Sequence, residues 1–292
     1  MATHRALPQP MDIRRTSRLC ASGEVGTIIA FAPAMDVHVF ESAGLSVARF
    51  ERGAVVLRAS PGTIFELSEP AAIALDVLLD RPTVSMQDEE ALRSARDALP
   101  FVRSEVFDER TVQPRGSISV DDRGGRPLIR RHHEPLAWSN NVPSTRGRVV
   151  VDATVARVDG GALLVIGDPR ARGPLVDGLA LAGVEVMSSS RVVLGARGSE
   201  VVVRAGYPDS IQNLREVWHI AEPPSPSLHL VRNKPSAALT DLLESACARV
   251  DSEAFDVLAR VSVGAPFFRV AYPRNADQLR ACVRAFPSLR SS

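Results

Sequence analysis

Residues Gly161-Ala162-Leu163-Leu164-Val165-Ile166 form an unbroken apolar run that ends at Gly167. A strand with one wet face alternates apolar and polar side chains, so a run without alternation belongs to a strand covered on both faces. Such a strand needs helices above and below it, which is the layering of an α/β fold. Gly167 sets a turn, and the spacing from Leu175 to Ala182 predicts a helix after it. The run is far shorter than the roughly 20 residues that span a bilayer, so no membrane is expected as a partner.

The remaining chain can supply those layers. Of its 292 residues, 45% are hydrophobic and 24% charged, the balance of a folded chain rather than a disordered one. At about 150 residues per domain the length allows one large domain or two modest ones. Basic and acidic residues number 35 and 34, a net charge of +1, which leaves no global basic field for nucleic acid. The three cysteines, Cys20, Cys247 and Cys282, are too few and too scattered for a disulfide framework or a zinc site. The first twenty residues carry arginines and no apolar core, so no secretory signal is expected and the cytoplasm is the default. Lys234 stands alone among arginines, which reflects coding bias rather than function.

Residues 1–25 are polar and Arg-rich and predict a loose arm. Residues 26–110 predict a small, strand-rich α+β domain. Its strands are Thr27–Phe31, Asp36–Phe40, Leu45–Phe50, Ala54–Leu57 and Thr63–Leu67. Helices are expected from Ser68, a good N-cap followed by Glu69 and Pro70, and from Ser85 to Leu99. Residues 111–147, rich in Arg, Gly, Pro and Ser, predict an interdomain linker. It holds the densest basic cluster, Arg123, Arg126, Arg130 and Arg131, with His132 and His133 beside it. Residues 148–292 predict a second α/β unit. Its strands are Val149–Val151, Ala153–Val158, Gly161–Ile166, Val184–Met187, Arg191–Leu194, Val201–Arg204 and Phe267–Tyr272. Its helices are Ser236–Ala248, Ser252–Arg260 and Ala276–Ala285.

A strand, a glycine turn and a helix is also the layout of a phosphate-binding loop. There the small loop residues expose backbone N–H groups, a lysine meets the phosphates and a hydroxyl meets magnesium. The frame of residues 149–194 resembles the C-terminal domain of HPr kinase/phosphorylase and its relatives in biosynthetic clusters for ribosomal peptides. Val151-Asp152-Ala153 stands where that family has a His-Ala pair, and Gly160-Gly161 makes its hairpin turn. Gly206-Tyr207-Pro208 and the segment Gly264 to Pro273 resemble later motifs. The resemblance implies a degenerate, P-loop-type domain. Along Gly167, Asp168, Pro169, Arg170, Ala171, Arg172, Gly173 and Pro174, Arg172 replaces a loop glycine. Gly173 stands at the lysine position and Pro174 at the hydroxyl position. Ser189 and Ser190 replace paired aspartates. Phosphoryl transfer rests on the lysine and the metal, so the expectation is a pseudokinase with no catalytic residue, cofactor or metal.

Residues Ala54 to Leu57, Thr63 to Ala72 and Leu75 to Thr83 resemble the PqqD-like leader-recognition element, which takes up an extended peptide as an added strand. The same strands also fit the N-terminal sheet that kinase-like relatives carry. The resemblance implies a peptide site on Thr63, Ile64, Phe65, Glu66 and Leu67, with that strand at a sheet edge. By the period of two, Ile64 and Phe65 point to opposite faces. Arg126, Arg130 and Arg131 would meet an acidic peptide segment.

Other candidates carry weaker signals. His132-His133-Glu134 has no further metal ligand nearby, Ser188-Ser189-Ser190 lacks a nucleophile elbow, and Trp138 and Trp218 fit a peptide groove or simple packing. The function these features point to is non-catalytic. The chain would hold a ribosomally made precursor peptide and present it to a peptide-modifying enzyme, with a homodimer also compatible. The alternatives are a hydrolase or cyclase using Asp152, Asp168 or His219 in the former nucleotide cleft, and a regulatory or structural subunit.

Overall fold

A computed structural model describes residues 17–19, 25–27, 37–58, 62–81, 89–107, 118–121, 127–132, 147–158, 161–188, 190–197, 200–205, 210–220 and 224–285. Helices and sheets alternate in layers, as a mixed α/β chain requires. In the arm, β1 (Ser17–Leu19) pairs with β2 (Val25–Thr27). The first large sheet has six strands. Four are β3 (His38–Ser42), β4 (Leu45–Phe50), β5 (Gly53–Arg58) and β6 (Thr63–Ser68). The other two, β7 (Ile118–Asp121) and β8 (Pro127–His132), come from the stretch expected to be a linker. Their order is β3-β4-β5-β6-β8-β7.

That order corrects two expectations. Residues 118–132 are not wholly a linker, because β8 pairs antiparallel with β6 and β7 with β8. The strand β6 is not an edge, because it lies between β5 and β8. The apolar spacing of Pro127-Leu128-Ile129 was outweighed in the sequence by the arginines around it, yet Leu128 and Ile129 are buried.

Helix α1 (Glu69–Leu78) follows β6 directly, starting after Ser68 as the sequence predicts. The Ser68 hydroxyl makes no capping bond, so Pro70 and Glu69 carry the start of the helix. Helix α2 (Glu89–Val102) runs on past Leu99 and through Pro100 into a π-helical turn, Arg103–Phe107. Both helices cover one face of the first sheet, where Val47, Val56, Phe65 and Leu67 are buried with Ile73, Leu75 and Val102.

The second sheet has eight strands. They are β9 (Arg148–Val158), β10 (Gly161–Gly167), β11 (Val186–Ser188), β12 (Arg191–Arg197), β13 (Glu200–Ala205), β14 (Ser210–Ile220), β15 (His229–Arg232) and β16 (Phe267–Ala271). Strand β9 is continuous where the sequence predicts two pieces. Its first half pairs with β12 and its second with β10, and β14 divides in the same way between β13 and β10. Strands β10, β14 and β16 run parallel. Helices α3 (Pro169–Leu181) and α6 (Ala276–Ala285) cover one face, with Leu163, Val165 and Trp218 buried beneath them.

Helices α4 (Pro235–Glu244) and α5 (Ser252–Gly264) complete the layers. They lie between the two sheets. Ala48, Phe50, Val55, Leu57 and Ile64 of the first sheet share one buried cluster with Leu239, Leu242, Phe255 and Leu258 of these helices and with Val151, Leu164, Ile166 and Val192 of the second. This is why β4, β5, β6 and β10 are apolar on both faces. Among the described residues no helix is long and apolar enough to cross a membrane.

Phe255 is fully buried in that shared cluster. Truncating it leaves a cavity touching both sheets, so Phe255→Ala is expected to cost about 3–5 kcal/mol. Circular dichroism melting should show one transition at a lower midpoint. Two separated transitions would show that the sheets do not share a core.

Candidate functional site

The segment expected to form a phosphate loop is not a loop. Helix α3 begins at Pro169, so Arg170, Arg172, Gly173 and Pro174 are already helical. Only Asp168 separates the helix from β10. Gly167 is required there: its φ is +118°, and a Cβ would lie 2.7 Å from the Ile220 carbonyl oxygen of β14. The first turn of α3 has little left to offer an anion. Pro169 has no N–H. The Arg170 N–H donates to the Asp168 carboxylate at 2.7 Å, and the Arg172 N–H to the Asp168 carbonyl at 2.8 Å. The Tyr272 hydroxyl donates to the Ala171 carbonyl and pins the turn to the strand beside it.

Arg172 occupies the space that loop glycines would leave. Its side chain is 3% exposed. The guanidinium donates to the Asp152 carboxylate, to the Asp152 carbonyl at 2.9 Å and to the Gly167 carbonyl at 3.4 Å. Asp152 at the junction of the two halves of β9 and Arg172 in the first turn of α3 thus form one ion pair. Pro174 lies exposed on the helix and removes one N–H from its ladder.

Beside this pair lies a cleft of about 490 Å³, lined by Asp152, Asp168, Arg191, His219, Asp241 and Cys247 among others. It opens at the carboxyl ends of the parallel strands β10 and β14. The helix after β10 goes to one face of the sheet and the helices after β14 go to the other. Divergence of this kind leaves a crevice where open α/β sheets bind ligands. Asp241, on α4, is almost wholly buried. Its carboxylate is 2.9 Å from His219 Nδ1, accepts from Asn233 Nδ2 at 2.8 Å and lies 3.6 Å from the Arg269 guanidinium. The Asp241 carboxylate thus stands beside the His219 ring at the cleft wall, without a hydrogen bond to Nδ1. Burial and the Asp152 charge outweigh Arg191 and Arg172 and push the Cys247 thiol up. That environment disfavours a reactive thiolate.

The residues expected to bind peptide are divided by the sheet. Ile64 and Phe65 do point to opposite faces, Ile64 toward α4 and α5 and Phe65 toward α1 and α2, and both are buried. Thr63 and Leu67 are buried as well. Because β6 has a neighbour on each side, its backbone cannot accept a further strand, which corrects the docking site expected there. Arg130 lies opposite Glu66 and Arg131 opposite Phe65 in the ladder, so the two arginines face opposite sides and make no single patch. Arg123, Arg126, His133, Glu134, Trp138, Ser189 and the Gly206-Tyr207-Pro208 motif lie outside the described residues. Trp218 packs in the core and donates to Glu216 at 2.5 Å.

A charge cluster the sequence did not reveal joins the first sheet to α4. His132 Nδ1 lies 3.0 Å from Glu244 Oε1, and Nε2 lies 3.6 Å from Glu66 Oε1. The Thr240 hydroxyl donates to Glu66 at 2.9 Å, and Arg130 stands 4.0 Å from its other oxygen. Burial opposes the charged ring, but the bonds and charges of Glu244 and Glu66 outweigh it and raise the His132 pKa to about 9. Burial likewise works against Glu66, and His132, Thr240 and Arg130 overcome it, leaving that carboxyl below its ordinary range. No sequence signal could find this cluster, because Glu66 and Thr240 are already 174 residues apart. Among the described residues no group of His, Cys, Asp and Glu could hold a metal ion.

Two outcomes follow. Arg172→Ala empties a buried site and leaves the Asp152 and Gly167 carbonyls without their guanidinium donor, and should destabilise by roughly 1–3 kcal/mol in denaturant melts; an idle guanidinium would give no loss. A raised folded-state pKa means that His132 contributes fully below its ordinary value of 6.5 and loses that contribution as pH rises through about 9. The Tm gap between the native chain and His132→Gln should therefore be widest just below pH 6.5 and close as pH rises through about 9. A gap independent of pH would show that the ring carries no charge. No family model, no curated protein and no solved structure matches this chain.

Proposed function

We propose that this chain is a peptide-binding protein built on a kinase-like frame, one that holds a ribosomally made precursor for a separate peptide-modifying enzyme and transfers no phosphate. The observation that carries the second half is the pairing of the buried Arg172 with the half-exposed Asp152. Phosphoryl transfer needs open backbone donors, a mobile cation and a metal ligand around the phosphates. Here Asp168 caps the helix whose N-terminus would receive the anion. The cation is held by Asp152, and Gly173 and Pro174 supply neither lysine nor hydroxyl. The first half is supported by the strand meander followed by helices that resembles a leader-recognition element, with one amendment: the edge that would take the peptide is filled by the chain's own β8.

A second proposal is favoured by one observation. The Asp241 carboxylate lies 2.9 Å from His219 Nδ1 at the wall of a cleft at a strand switch point, which sets an imidazole that could serve as a general base beside a carboxylate. An enzyme working there would alter its ligand; a binder would not.

Calorimetry with ATP and magnesium is expected to show no binding heat up to millimolar ligand. Peptide captured on the chain from its native host should be recovered with unchanged mass. Micromolar ATP affinity would overturn the pseudokinase assignment, and a mass change abolished by His219→Ala would replace binding with catalysis.

A further inference from the structure

We propose that His132 is a positioning residue for the cleft: acting through Glu244, it holds the end of α4 where that end builds one wall of the cleft. Asp241, Glu244, Ser245, Ala246 and Cys247 all line this wall. The segment is tied on three sides. Asp241 stands beside His219 and accepts from Asn233. Beyond the helix the chain runs along the side of β9 opposite β12. There the Asp152 N–H donates to the Ser245 carbonyl at 2.8 Å and the Cys247 N–H to the Val150 carbonyl at 2.8 Å. The third tie reaches the first sheet and is ionic. Glu244 is the last residue of α4, and His132 of β8 lies 3.0 Å from its carboxylate.

The ionic tie is the one a single charge controls. Helix α4 has no basic residue in its last turn, so His132 brings positive charge to its C-terminal end from another element. The same ring stands between two carboxylates, Glu244 of α4 and Glu66 of β6. Without that charge the two carboxylates repel, and Arg130, half exposed and 4.0 Å from Glu66, compensates them weakly. The Thr240 hydroxyl still holds the preceding turn to Glu66. What loosens is therefore the end of α4 and its bridge to β9, not the whole helix. A residue of the first sheet thus sets the wall of a cleft in the second, whatever that cleft takes up.

Native-state hydrogen exchange of the full chain, resolved to single amides at pH 7, tests the assignment. In His132→Gln the Asp152 and Cys247 amides should exchange at least tenfold faster than in the native chain. The Leu279 amide of α6, bonded to the Asn275 carbonyl, should keep its native rate. His132→Arg, which restores a cation between the carboxylates, should return both amides to slow exchange. Glu244→Gln should reproduce His132→Gln, and the double variant should add nothing to either, because both substitutions break one contact. Glu244 is half exposed, so Glu244→Gln carries the test if His132→Gln does not fold. Native rates at Asp152 and Cys247 in these variants would overturn the proposal. Equal acceleration at Leu279 would do so too, since it would mean a general loss of stability. So would acceleration that His132→Arg leaves in place, or effects of the two substitutions that sum, which would show that His132 does not act by its charge through Glu244.

Discussion

Both large sheets bury their inner faces against the same two helices. Each buried Leu, Ile or Phe contributes about 1.5–3 kcal/mol, and α4 and α5 collect such contributions from Leu57 and Ile64 on one side and from Leu164 and Ile166 on the other. Removing these helices would wet two apolar faces at once. The rest of the architecture is arranged around this shared layer. Helices α1 and α2 close one outer face, and α3 and α6 close the other.

The chemistry of the molecule is carried on the same layer. Over little more than one turn, α4 presents Thr240 and Glu244 to the first sheet and Asp241 to the cleft of the second. At the end of β10 the strand ends and the diverging helices leave a crevice. The positive charge and helix-terminal donors that an anion would use are satisfied by Asp152 and Asp168. An arginine is suited to this because its planar fork meets a carboxylate and two carbonyls together.

The sequence was most legible where local pattern and burial agree. The apolar run into Gly167, the start of α1 at Ser68 and the opposite facing of Ile64 and Phe65 all follow from periodicity. That Gly173 and Pro174 offer neither an ammonium nor a hydroxyl was legible as well, whereas the pairing of Asp152 with Arg172 was not. Long-range pairing was not legible. Leu128 and Ile129 read as a brief interruption in a basic stretch, yet they place β8 against β6 and remove the edge that a peptide was expected to use. The helix expected to end at Leu99 instead passes through Pro100 and continues into a π turn that buries Val106.

The bond between Glu66 and Thr240 spans 174 residues of chain, which bears on synthesis. The first sheet and its outer helices are complete long before residues 235–264 leave the ribosome. Until then Phe50, Val55, Leu57 and Ile64 have no inner cover. A first sheet that formed ahead of these helices would present an uncovered apolar face, the kind of surface that exposes a nascent chain to self-association.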